Sequence, residues 1–349
     1  MHCQCITKFG HALEPQDRQD MVPEGSEVIL EVIAAGVCHT DLHMREGGLD
    51  LGRGQKLDYA ARGIGLPLVL GHENVGRVVA AGPQAEGIDP GKTYLIYPWC
   101  GCGSCDLCTA GDEHLCMTPR CLGIHVDGGY ATQIKVAHPR YLFDIGDLNP
   151  VSAAPLACSG LTTYSALKKL AGVIHSHTTV LFGAGGLGLM CTEMIQALGA
   201  KPPVVVDIDP VKRDQALKNG AKAVIDPRAE GAMEQIIDAC GGAPMGVIDF
   251  VNAESTAELA FNVLGKGGSL VTVGLFGGGA PWPLPMITLK SARIQGSYVG
   301  SLNDFRELVD LARAGKLRPI PSTIFPLRNA DDVLNQLEAG KIIGRAVLK

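Results

Sequence analysis

The sequence has no run of Lys or Arg, and its formal net charge is -6, so it offers no electrostatic footprint for nucleic acid or an anionic lipid surface. No stretch approaches the ~18 consecutive apolar residues of a membrane span. The opening residues, MHCQCITKFG, lack the apolar centre of a secretory signal, and a cytoplasmic setting is expected. Charged residues are sparse, at 19% against 46% hydrophobic. That composition leaves ample material for buried cores, and 349 residues make two domains the natural expectation. The 45 glycines follow neither a collagen period nor an internal repeat, which excludes repeat architectures. Small molecules remain as the expected partners.

Cysteine, by contrast, is plentiful: there are 12, five of them between Cys100 and Cys116. Disulfide scaffolds are short, so in a chain this long the cluster points to metal binding or catalysis. Cys102, Cys105 and Cys108 form CxxCxxC, and Cys116 follows after seven residues. Four thiolates in one short lobe can close a tetrahedron around zinc with no open position, the mark of a structural site. Iron–sulfur binding is the rival reading, but ferredoxin motifs continue with Cys and Pro after three residues, whereas Thr109-Ala110-Gly111 leads to Asp112 here. Cys100 lies close by and is left out, because Cys102 already satisfies the pattern.

The first ~150 residues read as short alternating strands broken by Gly and Pro, such as Val28–Val32 and Val75–Val79. From about Ala153 the texture changes. Strand candidates at Thr179–Phe182, Val204–Asp207, Ala223–Ile225, Val247–Val251, Ser269–Val273 and Arg293–Ser297 alternate with helical stretches, predicting a doubly wound parallel sheet. A helix near Asn303–Ala314 leads to Leu317–Ile324 and a closing strand, Arg345–Leu348, able to rejoin the first domain. The first strand of the sheet runs straight into Gly183-Ala184-Gly185-Gly186-Leu187-Gly188 and then a helix, the order a dinucleotide site requires. Gly183 permits the turn, Gly185 lets backbone approach the pyrophosphate, and Gly188 lets helix and strand pack. Asp207 ends the second strand, where a carboxylate accepts the adenosine ribose hydroxyls and repels a 2′-phosphate, favouring NAD over NADP. Lys212 and Arg213 follow closely and are the residues that could instead cradle that phosphate.

Three further segments carry chemistry: Gly36-Val37-Cys38-His39-Thr40-Asp41-Leu42-His43, Gly71-His72-Glu73 and Leu156-Ala157-Cys158-Ser159-Gly160, all placed on strand ends or loops. Taken singly, a buried cysteine is usually a small hydrophobe and a lone histidine an ordinary core or surface group. Together with the glycine turn and the cysteine lobe, in this order over essentially the whole length, they resemble the zinc-containing medium-chain alcohol dehydrogenases. The resemblance implies an α/β protein with a GroES-like, β-rich catalytic domain (1–152 and 299–349) and a Rossmann NAD-binding domain (153–298). It also implies two zinc ions per subunit, NAD as cofactor, an alcohol or carbonyl substrate, and a homodimer or homotetramer.

Carried over residue by residue, the resemblance makes Cys38, His72 and Cys158 ligands of a catalytic zinc, with Glu73 as an auxiliary carboxylate. Asp41 orients the ligand histidine, and Thr40 with His43 forms a proton relay. His39 and Arg345 contact the pyrophosphate, Lys212 the adenosine ribose, and Thr162 the nicotinamide, while Trp99 lines the substrate pocket. The reaction implied is reversible hydride transfer from an alcohol carbon to NAD, giving an aldehyde or ketone. A polyol or sugar-alcohol dehydrogenase and a non-catalytic zinc-binding member are the alternatives; a zinc-free quinone reductase on the same scaffold would lack the ligands and the lobe. The glycine-rich segment 44–70 departs from the pattern of many members and reads as a loop that forms part of the pocket wall or entrance.

Overall fold

The computed structural model describes all 349 residues. Six short strands, Val180–Phe182, Val204–Val206, Ala223–Ile225, Gly246–Asp249, Ser269–Thr272 and Arg293–Gly296, form one wholly parallel sheet. In space they run third, second, first, fourth, fifth, sixth. The order reverses beside the first strand, so a crevice opens at the carboxyl ends on either side of Phe182. Side chains alternate in direction along a strand, and both faces are buried. Leu181, Val205, Ile248 and Val271 pack on one side with Leu189 and Met194 of the helix Gly186–Ala197. Val180, Phe182, Val204 and Leu270 pack on the other with Ile236 and Phe261. Burial on both faces is why these strands read as continuous apolar runs.

The remaining strands are mostly antiparallel. A seven-stranded sheet is built around Val28–Val37, which pairs with Glu73–Ala81, Gln133–Val136 and Arg345–Leu348. The last of these comes from the far end of the sequence, with Ala346 opposite Val37. The chain therefore leaves this sheet, builds the parallel one and returns. The return begins at the helix Leu302–Arg313, whose start is fixed by a reciprocal cap: Asp304 N donates to Ser301 Oγ and Ser301 N to Asp304 Oδ2, both at 3.1 Å.

Two local expectations are corrected and one element is added. Thr40, Asp41 and His43 lie not on a strand end or loop but on the eight-residue helix His39–Glu46, capped by Cys38 at its start and closed by Gly47 at φ 79°. Segment 44–70 is not simply a loop, since Gly48–Gly52 and Gln55–Asp58 form a hairpin and Leu68–Val69 joins the strand His2–Ile6. A helix at Ala330–Glu338 had no counterpart in the sequence reading. The first and third of these elements pack together, where Arg45 bonds to Asp331, Asn335 and Glu338.

Candidate active site

Each chemical segment sits at the end of an element of the seven-stranded sheet or at the start of a helix beside it. Cys38 follows the strand Val28–Val37, Glu73 begins its neighbour with His72 just before it, and Cys158 precedes the helix Ser159–Lys168. Gly36 and Glu73 face each other in register, and a side chain at Gly36 would collide with the Glu73 carboxylate. That register brings Cys38 to His72, and one ligand atom each from Cys38, His72, Glu73 and Cys158 lies within 4.8 Å of the others. The two sulfurs are 3.9 Å apart. A disulfide would need about 2.0 Å, whereas two sulfurs at ~2.3 Å from one tetrahedral zinc stand about 3.8 Å apart.

The four groups perturb one another strongly. His72 Nδ1 meets Asp41 Oδ1 at 3.2 Å, while His72 Nε2 is buried with no hydrogen-bond partner. Burial alone would lower the pKa of this imidazole, but the Asp41 carboxylate and the neighbouring Cys38 outweigh it and hold it well above the usual value. Asp41 is itself fixed by Cys38 N and the Tyr130 hydroxyl, which both donate to Oδ2 at 2.9 Å. The Cys158 thiol donates to Cys38, which together with His72 lowers the Cys38 pKa well below that of an ordinary thiol. Burial pushes the Glu73 carboxyl up to about 7, although the Arg345 guanidinium paired with it pulls the other way. A buried polar group without a partner costs about 1–3 kcal/mol. The unpartnered His72 Nε2 beside two thiols and a carboxylate therefore fits a soft-to-borderline cation such as zinc.

Arg345 connects this set to the glycine turn. It is buried rather than a surface charge, ion-paired with Glu73, and packed so closely on Gly186 that a side chain at position 186 would overlap its Cδ. Gly183 adopts φ 96°, a conformation that favours glycine, and a methyl on Gly188 would collide with the Gly183 carbonyl. Gly185 and Leu187 are half-buried at the start of the Gly186–Ala197 helix, whose free amides suit phosphate. Asp207 Oδ2 accepts Ala184 N at 2.6 Å and its Oδ1 accepts Asp209 N at 2.8 Å. Arg213 is occupied, donating to Asp207 O at 2.7 Å and pairing with Asp226. Lys212 lies half-buried near Gly340. Thr162 Oγ1, on the helix after Cys158, is buried without a partner.

Thr40 Oγ1 lies 3.8 Å from Cys38 Sγ, and His43 is half-buried one turn further along the same helix. Burial lowers the pKa of both His39 and His43. Trp99 is 2% exposed, its ring 5.4 Å from that of His72 and its Nε1 donating to Ala157 O at 3.0 Å. Two aromatic residues not singled out from the sequence complete the surroundings. Tyr298 stands edge-on to Trp99 at 5.9 Å, and Phe276 packs against His39 at 5.3 Å. Both follow the carboxyl ends of parallel strands, Arg293–Gly296 and Ser269–Thr272, and that position was the available signal. The hairpin tip reaches the same region, with Gly52 and Asp50 in close contact with Gly278 and Gly277.

The cysteine lobe is a separate cluster. Cys102, Cys105, Cys108 and Cys116 also converge within 4.8 Å, with sulfur separations of 3.9 Å (Cys102 to Cys108), 3.5 Å (Cys105 to Cys108) and 3.8 Å (Cys105 to Cys116). Backbone amides of Cys102 and Thr118 point at Cys116 Sγ from 3.3 and 3.4 Å. Hydrogen bonds from the Ser104 backbone and side chain bring the Cys102 thiol down to about 5. These donors favour the thiolate at Cys102 and Cys116, the form that binds metal, while burial pushes the Cys108 thiol up to about 12. Cys100 is not among the four; its thiol is buried against Tyr97 O.

Comparison with known proteins agrees with this architecture. Residues 24–147 match the family model of the alcohol dehydrogenase GroES-like domain, and residues 186–314 that of the zinc-binding dehydrogenases. An NAD-dependent alcohol dehydrogenase of Sulfurisphaera tokodaii is 38% identical, covering 100% of this chain and 99% of its own. Among solved structures, the alcohol dehydrogenase of Aeropyrum pernix superposes with a TM-score of 0.90 at 30% identity, covering 100% of this chain and 99% of that one. The D-arabinose dehydrogenase of Sulfolobus solfataricus superposes with a TM-score of 0.84 at 27% identity, covering 100% of this chain and 98% of that one. The chain belongs to the zinc-containing medium-chain alcohol dehydrogenase family.

Proposed function

We propose that this chain oxidises an alcohol to an aldehyde or ketone, and the reverse, by hydride exchange with NAD at a zinc site formed by Cys38, His72 and Cys158, with Glu73 as auxiliary carboxylate. The observation that carries the proposal is the contact chain from that cluster through the Glu73–Arg345 pair to Gly186 in the nucleotide turn, which sets the candidate metal site directly beside the glycine turn. Zinc, when bound, supplies the Lewis acid that polarises the substrate oxygen. Asp41 holds His72 in the tautomer whose Nε2 is free to ligate. Thr40 and His43 carry the hydroxyl proton toward water, the burial-lowered pKa of His43 favouring its release there.

On the cofactor side, Gly183, Gly185, Gly186, Leu187 and Gly188 cradle the pyrophosphate, with Arg345 and His39 as flanking cationic or polar groups. Asp207 and Lys212 hold the adenosine ribose, and Thr162 borders the nicotinamide. Asp207 with Arg213 already engaged by Asp226 favours NAD over NADP. The Cys102, Cys105, Cys108 and Cys116 lobe holds a second, structural zinc. Residues 1–152 with 299–349 form the catalytic domain and 153–298 the nucleotide domain. A homodimer or homotetramer is supported by the unpaired edge strand Arg293–Gly296 and by Leu284 and Leu289, 76% and 65% exposed beside it.

The deciding experiment is metal analysis of the purified chain combined with NAD and NADP reduction over primary, secondary, aromatic, cyclic and polyhydric alcohols. No zinc and no reduced cofactor would refute the proposal. Cys38→Ser should abolish turnover while dinucleotide binding persists, and an active variant would exclude Cys38 as a ligand.

A further inference from the structure

The cysteine lobe is tied to the body of the protein through one buried carboxylate. Glu113 opens the short turn Glu113–Leu115 that ends at Cys116, and it is 2% exposed. Its Oε2 accepts Gly101 N at 3.1 Å and the Tyr141 hydroxyl at 2.6 Å; its Oε1 meets Arg140 Nη2 at 3.1 Å. The same guanidinium nitrogen donates to the Tyr141 hydroxyl at 2.6 Å. On the lobe side, Gly101 is packed against Cys108 Sγ and Cys116 Cβ with no room for a side chain, and Cys102 is the next residue. On the body side, Tyr97 N donates to Tyr141 O at 2.8 Å, the two rings lie 6.1 Å apart, and the Tyr97 hydroxyl donates to Gly300 O at 2.9 Å.

We propose that Glu113 is the positioning residue of the tetracysteine centre. By binding the Gly101 amide while standing three residues before Cys116, it fixes the two strands of chain that carry the first and fourth cysteines at the spacing where all four sulfurs meet. Arg140 and Tyr141 hold the carboxylate in that orientation from outside the lobe. This rests on reading the lobe as a zinc site. Groups that orient metal ligands in this way typically change metal affinity by about 10–100-fold when altered. Glu113→Gln preserves shape but replaces one acceptor oxygen with a donor that must face Arg140 or the Gly101 and Tyr141 donors, so at least one bond is lost.

The test strips zinc from the holoenzyme with a chelator while released zinc and remaining alcohol oxidation are followed together. The unaltered chain should hold two zinc ions, one whose release tracks activity and one whose release does not. E113Q should speed the activity-silent release about tenfold and leave the activity-linked release and NAD affinity unchanged. Tyr141→Phe, which removes one hydroxyl and keeps the ring, should speed the silent release by a smaller factor and carries the test if E113Q does not fold. An unmoved silent release, or equal acceleration of both releases with a lowered Tm, overturns the role of Glu113. Finding only the activity-linked zinc in the unaltered chain overturns the zinc reading of the lobe instead.

Discussion

Replacing Asp41 with Asn tests whether one buried carboxylate selects the tautomer of His72. Asp41 is 0% exposed and acts as acceptor for three groups: His72 Nδ1 at 3.2 Å, Cys38 N at 2.9 Å and the Tyr130 hydroxyl at 2.9 Å. An amide has one acceptor oxygen and one donor nitrogen. If the oxygen serves Cys38 and Tyr130, the NH₂ faces His72 Nδ1, which must then accept, and the proton moves to Nε2, where it blocks ligation. If the amide turns the other way, the NH₂ faces two donors in a buried site, at a cost of about 1–3 kcal/mol. The first arrangement should weaken zinc binding by about 10–100-fold, or about 1.4–2.7 kcal/mol, and the second should lower the stability of the fold instead. Chelator competition at fixed pH measures this directly, with turnover followed in parallel. A folded D41N chain whose zinc affinity stays within about twofold of the original and whose Tm is unmoved would refute the tautomer argument.

Gly188→Ala places a methyl against the Gly183 carbonyl, so it should cost about 1–3 kcal/mol of stability and weaken NAD binding by separating helix and strand. Thermal unfolding and NAD titration check both, and no change in either would contradict the close approach. Asp207→Ser should shift the ratio of NADP to NAD use upward by at least about tenfold, read from initial rates with each cofactor; an unchanged ratio would remove Asp207 from cofactor choice. Lys168→Met tests the Lys168–Asp304 and Lys168–Glu307 pairs, at 2.7 and 2.8 Å. Burial alone would raise the Asp304 pKa, but Lys168 and the Ser301 cap outweigh it and hold the carboxyl below its usual value. The contribution is therefore present above the unfolded carboxylate pKa of ~3.9 and lost as pH falls through the folded value. The variant should lose about 0.5–1 kcal/mol at neutral pH, and its gap to the original in urea midpoint should close below about pH 4. A gap that does not depend on pH would contradict the ionic origin.

What could be read from the residue string was whatever depends on a few neighbours. The Gly183–Gly188 turn needs only its own glycines between a strand and a helix. The Cys102–Cys116 lobe closes a short loop, and the parallel strands announce themselves as apolar runs because both faces are covered. The residue types at Cys38, His72, Glu73 and Cys158 were visible as well, but their meeting depended on the Gly36–Glu73 register and the 3.9 Å approach of Cys158. Only the tertiary structure showed that Thr40 and His43 ride on a helix, since eight residues are too few for a clear period and such a helix draws its stability from packing. The hairpin in 44–70 stayed hidden for a related reason: its glycines signal turns, while the contact of Gly52 with Gly278 that positions its tip is made by a distant segment. The Glu73–Arg345 pair and the Tyr298–Trp99 contact likewise join residues from far apart in the chain. Contacts of that range carry no local signature, because they are chosen by how whole elements pack and not by the preferences of the residues that make them.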